Sequence, residues 1–343
     1  ISGGLNNFNT SRNITLGADL TVNGTLTLTA GTFTVSNRTL TLNGPTIAGT
    51  PGNLITGATS SLSFSGSFTG VNIPGSVTTL NNLTINNANG VTMNSNITLA
   101  AGGFLTLTSG IVQAGTNILK ITNTNPATAI IWSPGSFINV TSGAVERTLT
   151  ANLAGTGNNY LFPIGEGGVF KGINLRDVIT GPSGPVLQAS VSATGALTGD
   201  GTTIGPVDPR YWSLINLNSG NLISAKVELY ESGLDFSKTI GMSSVVAGNY
   251  SAIGGASTTS SIISPTVLNP GPYFCIGASI LDTYYSYQTG DWNTSTTWTS
   301  DPSGTLQIGT TIPGDNDKVI ILSGRTVSLV GDINTQTLDI TIN

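Results

Sequence analysis

Hydrophobic residues in the first 142 positions come in pairs two apart: Leu20/Val22, Leu26/Leu28, Phe33/Val35, Leu40/Leu42, Leu62/Phe64, Leu83/Ile85, Val91/Met93, Ile97/Leu99 and Leu105/Leu107. A side-chain period of two marks a strand with one face turned inward. Each pair is too short for a free-standing sheet, and turn formers lie between them: Asn23-Gly24, Ala30-Gly31, Asn43-Gly44-Pro45 and Asn89-Gly90. Hairpins also favour Asn-Gly, so antiparallel pairing stays open as the alternative.

Internal repetition favours a stack. Leu20 to Gly31 recurs as Ile97 to Gly110 with two residues added, Arg325 to Gly331 matches Arg38 to Gly44, and Thr337 to Ile340 matches Asn82 to Ile85. Units of this kind bury their faces on their neighbours. The expected fold is all-β, opening with a parallel β-solenoid over residues 1–142. Its Leu, Ile and Val point inward, and its Thr, Ser and Asn form outward ladders between coils.

The pattern changes at about Gly143. Charges appear at Glu146, Arg147, Glu166, Lys171, Arg176 and Asp177, and Ala225 to Tyr230 alternates strictly, with a solvated face. Roughly seven or eight longer strand segments follow, the number of a β-sandwich, expected over residues 143–280. Solenoid texture returns from Leu281, so residues 281–343 read as the start of a second β-solenoid.

Composition narrows the chemistry. Between Ile1 and Leu119 the charged side chains are Arg12, Asp19 and Arg38, and the 343 residues contain no histidine. Acid–base catalysis and metal ligation draw on ionisable groups, so the first third is poorly equipped for either. A net charge of -5 offers no basic stripe for nucleic acid and no cationic face for anionic lipid. No apolar run approaches the ~18 residues that span a bilayer, so membrane insertion is not expected. The one cysteine, Cys275, lies in an apolar run without a histidine to activate it and reads as a buried thiol. The chain begins at Ile1 without a leader pattern and stops within a strand-like pattern, so it reads as a piece of something longer.

Few residues are candidates for a site. Trp292 and Trp298, with Tyr284, Tyr285 and Tyr287 upstream, could stack sugar rings. The favoured reading is that they seal the second solenoid against the preceding domain. Asp315 and Asp317 flank Asn316 and could offer oxygens to Ca²⁺, but the EF-hand loop is absent and Pro313-Gly314-Asp315 reads first as a turn. The pairs Glu146/Glu166 and Glu228/Glu231 could serve a glycosidase, though acids on alternating strands usually solvate an outer face. Arg147 is expected to anchor a junction. Asn-x-Thr/Ser triplets at Asn13, Asn23, Asn37, Asn82, Asn96, Asn139, Asn249 and Asn293 are read as products of composition, not as glycosylation sites. No cofactor is expected.

Several motifs in order carry a resemblance: Leu80-Asn-Asn-Leu83-Thr-Ile85, Gly143-Ala-Val-Glu-Arg147-Thr-Leu149, Tyr160-Leu-Phe-Pro163-Ile-Gly165, Arg210-Tyr-Trp212, Gly290-Asp-Trp292 through Trp298, and Pro313-Gly-Asp315-Asn-Asp317. Together they resemble the large repetitive surface proteins that Bacteroidota export by the type IX secretion system, including SprB-like gliding-motility adhesins. The likeness runs over nearly the whole chain. It implies an extracellular, cell-surface stalk or adhesin whose partners are surface polysaccharide, further adhesin modules or the secretion machinery. The family's C-terminal sorting domain is not recognisable, as befits an internal fragment. The expected function is a non-catalytic structural segment, with a β-helix carbohydrate-active enzyme or carbohydrate-binding module as the alternative.

Overall fold

A computed structural model describes residues 5–218, 220–235, 237–280, 282–309, 311–314, 317–330 and 339–343. Strands too short to stand alone gain partners by coiling, and the hydrophobic pairs mark the inward positions. On one face of the coil Leu20–Val22, Thr39–Leu42, Ser61–Gly66, Leu83–Asn87, Leu105–Ser109 and Ile130–Trp132 pair in parallel, in chain order. Register stacks Leu20, Leu40, Leu62, Leu83, Leu105 and Ile130 in one column, so successive coils are 20, 22, 21, 22 and 25 residues long. The fold is therefore a parallel β-solenoid, with the rung and not the hydrophobic pair as its repeat.

The second face carries Phe8–Thr10, Leu26–Leu28 and Ala48–Gly49, then Asn72–Ile73, Val91–Met93, Val112–Gly115, Ile138–Val140 and Ile164–Glu166. The third carries Ile14–Thr15, Phe33–Thr34 and Leu54–Ile55, then Thr79–Leu80, Ile97–Leu99, Ile118–Ile121 and Ala144–Thr148. Leu26, Leu28, Leu40, Leu42, Leu105 and Leu107 are all buried. Thr21, Thr41, Ser63, Thr84 and Thr106 form the intervening column, on the opposite side of the strand.

Asn-Gly serves here as a corner of the coil. Asn43 Nδ2 donates to Asn23 Oδ1 at 2.8 Å, so one turn sits on the next. A Cβ on Gly44 would fall 1.9 Å from the Gly24 carbonyl oxygen, so the second residue of this corner must be glycine.

Asparagine has a second job. The Oδ1 of Asn7, Asn13, Asp19, Asn82 and Asn96, each just before a strand, accepts the backbone N–H of Thr25, Thr32, Thr39, Phe104 and Ile118, the matching position one coil on. These side chains satisfy backbone donors at the coil corners, which the strand ladder leaves unpaired. The triplets at Asn13, Asn82 and Asn96 are thus in register with the fold: an acceptor, an apolar residue directed inward, then an outward Thr. Composition alone was an incomplete reading of them.

The change of texture near Gly143 is a change of pairing direction inside one sheet. Ala144–Thr148 pairs in parallel with Ile118–Ile121 along one edge and antiparallel with Val186–Ser192 along the other. The same sheet continues through Ile204–Asn216, Tyr273–Ser279, Lys238–Ser243 and Asn249–Ala252. A second antiparallel sheet holds Tyr160–Phe162, Ile173–Thr180, Leu222–Tyr230, Ser261–Leu268 and Ala256–Ser257. Leu175, Leu214, Val227, Leu229 and Phe274 from these sheets belong to the same buried cluster as Leu40, Leu83 and Leu105 of the coils.

Parallel rungs return near the end. Thr283–Ser286 pairs with Lys318–Ile321, which pairs with Asp339–Ile342, and Gly290–Asp291 pairs with Val327–Ser328. Trp292, Trp298 and Val319 form their own small core.

Candidate functional site

The first face of the solenoid ends at Ile130–Trp132, the last strand of its sheet, while the other two faces run on. That step is filled by aromatic rings. Trp132 stacks on Phe170 with centroids 5.1 Å apart and planes at 27°. Phe170 also meets Tyr230 at 5.0 Å and Phe137 at 5.9 Å. Hydrophobic rungs need such a cover where their stacking partner is missing. The cover is incomplete: a cleft of about 250 Å³ remains between Trp132, Phe170, Tyr230 and the Lys171–Glu231 pair.

Three charges line and support this cleft. Lys171, buried, pairs with Glu231, and Glu231 Oε2 also accepts from Arg210 Nη1 at 2.8 Å. Trp212 Nε1 donates to the Lys171 carbonyl at 2.8 Å and fixes the connection between Val169–Phe170 and Ile173–Thr180. Burial would raise the Glu231 carboxyl. The hydrogen bond and charge of Lys171, the Ser232 N–H and the charge of Arg210 outweigh it, holding the group below its ordinary value. Burial, with the Glu228 charge beside it, pushes the Tyr230 phenol up to about 12.

Arg147 lies deeper, 1% exposed. Its guanidinium sits 4.9 Å from the Tyr160 ring centroid and 5.9 Å from that of Phe162, and its Nη1 donates to the Leu161 carbonyl at 2.9 Å. Burial lowers its pKa to about 10, against the opposing effect of Tyr160, so it remains a cation at neutral pH. It ties Ala144–Thr148, where pairing changes direction, to Tyr160–Phe162 in the other antiparallel sheet.

The residues singled out from sequence lie elsewhere. Trp292 and Trp298 are 2% and 1% exposed, packed edge to face at 4.8 Å, and Trp298 Nε1 donates to the Trp292 carbonyl at 2.8 Å. Sugar stacking needs an open ring face, and neither ring offers one. They do not seal a junction with the main core either, because they pack with Val319 inside the C-terminal rungs. Asp315 lies outside the described residues. Asp317 Oδ2 accepts the Gly314 N–H at 2.7 Å, the hydrogen bond of a turn. Among the described residues no three Asp, Glu, His or Cys side chains converge as a metal site would require.

Three of the four carboxylates are engaged one by one, whereas Glu166 Oε2 is buried without a hydrogen-bond partner. Glu146 pairs with Lys120 on the preceding coil at 2.5 Å. Glu228 accepts from Asn174 Nδ2 at 2.9 Å and faces Arg176 at 3.4 Å. Glu231 is held by Lys171 and Arg210. A glycosidase needs two carboxyl groups across one bond, one of them able to hold a proton at working pH. Here Glu228 and Glu231 each have their own cation. Cys275 is buried, and burial pushes its thiol up to about 12, so it stays protonated at neutral pH.

The aromatic cleft was not legible as a site. No motif or spacing links Trp132, Phe170 and Tyr230 along the chain. They meet because Ile173–Thr180 pairs antiparallel with Leu222–Tyr230 beside the last rung of the first face. No protein-family model, curated protein or solved structure matches this chain.

Proposed function

We propose that this chain is a non-catalytic structural segment, a stiff spacer, of a large extracellular adhesin at the cell surface. The observation that carries the reading is the sheet that starts as stacked rungs and passes through Ala144–Thr148 into the antiparallel ladder without a gap. A spacer keeps its ends apart only if its parts do not swivel. A shared sheet and shared core resist swivelling, where a linker would allow it. The charges support the same reading: Asp19 is spent on a backbone N–H of the next coil and Glu146 on a lysine of the preceding one. Export by the type IX route and partnership with further adhesin modules follow from the family resemblance described above.

The test is an activity screen. The purified chain, incubated with common neutral and acidic polysaccharides, is expected to release no reducing ends. Release that disappears in Glu228→Gln or Glu231→Gln would replace the structural reading with a β-helix glycosidase.

A further inference from the structure

We propose that the cleft between Trp132, Phe170 and Tyr230 is a binding site for a single pyranose unit of a polysaccharide. A pyranose presents an apolar face of C–H groups and a rim of hydroxyls. Its recognition therefore calls for aromatic ring faces beside fixed polar groups. Both occur here. The three rings are half-buried, so each keeps part of its surface open while its plane is set by packing. The Trp132 plane is fixed further by the hydrogen bond from its Nε1 to the Ser136 carbonyl within the same turn. Ser232 and Ser260 stand exposed at the rim and supply hydroxyls, while Lys171 and Glu231 back the wall with their charged ends paired to each other.

Size and charge narrow the ligand. About 250 Å³ holds one ring and not a run of them, so the site would read a chain end or a branch. A nucleobase would also stack, but its phosphates would meet a chain of net charge -5. The site is independent of the spacer reading: a rigid segment can carry it or lack it.

The experiment titrates the 343-residue chain with methyl pyranosides of glucose, galactose, mannose and glucuronate, following tryptophan emission and ligand saturation-transfer NMR. At least one glycoside is expected to bind saturably, with affinity lowered about tenfold or more in Trp132→Ala, as loss of one stacking face implies. Ser260→Trp, at an exposed rim position, is expected to block the cleft without touching the core. It keeps the test decisive should Trp132→Ala fail to fold. Absence of saturable binding by all four glycosides would overturn the proposal. So would binding indifferent to both substitutions, or binding only of an extended peptide on the free edge of Ile130–Trp132.

Discussion

Leu105→Asp is expected to open the solenoid at its middle and cost about 3 to 5 kcal/mol of stability. Leu105 is 0% exposed and lies in register between Leu83 and Ile130, both apolar, in a column that offers a carboxylate nothing to pair with. The cost has two parts. Removing the leucine side chain forfeits its packing, and the new carboxyl must either lose its hydration or take up a proton. The second part gives a pH signature. Burial raises the new carboxyl's pKa in the folded state above its unfolded value, so the variant regains stability below the unfolded pKa and loses it as pH rises from there through the folded pKa. Each rung touches only its neighbours, so the damage should centre on the rungs around Leu105. Thr106→Asp, one residue on and facing out, should change stability by no more than about 0.5 kcal/mol. Urea unfolding at two pH values separates these cases. A wild-type midpoint for Leu105→Asp would mean that the residue faces solvent.

Gly110→Val is expected to cost about 3 kcal/mol or more, although it adds hydrophobic surface. Two effects combine at this corner. The residue has a φ of +88°, where a β-branched side chain is strained. A Cβ would also lie 1.8 Å from the Asn87 carbonyl oxygen of the preceding coil. That obstacle is backbone, so no rotamer change relieves it, and the coil spacing itself would have to widen. Gly102→Ala is the control, because nothing lies within 4 Å of the place its methyl group would occupy. The pair should differ sharply in urea midpoint, and equal midpoints would show that the corners are looser than the register implies.

The inward pattern could be read from sequence because it is local. Leu40, Leu42, Leu105 and Leu107 declare their side of the strand by spacing alone, and the coils place them there. Pairing direction could not be read the same way, since Asn23-Gly24 suits a hairpin turn and a coil corner equally. What decides it is the partner twenty residues away, Leu20 on Leu40, and register between distant strands leaves little trace in either strand by itself. The corner acceptors were hidden for the same reason, because Asn82 acts on Phe104 and Asn96 on Ile118.

Trp292 and Trp298 stood out as large aromatics near a texture change, but a few short rungs need large side chains to make any core, and both went inside. Trp132, Phe170 and Tyr230 are no more conspicuous than other aromatics, and only the end of the first face beside the antiparallel sheets makes them neighbours. Arg147 was expected to anchor a junction, and its Nη1 bond to the Leu161 carbonyl joins Ala144–Thr148 to the other antiparallel sheet. Its stacking on Tyr160 required the fold.

Native-state hydrogen exchange at the joint tests the central claim, that rungs and antiparallel sheets form one body. Local opening free energies follow the cooperative units of a structure. If Ala144–Thr148 belongs to both ladders, its hydrogen-bonded amides should exchange as slowly as those of Leu105–Ser109 and Val186–Ser192 on either side. Exchange at residues 144–148 as fast as in the exposed loop around Thr194, with both neighbouring ladders still protected, would contradict it and make the joint a hinge.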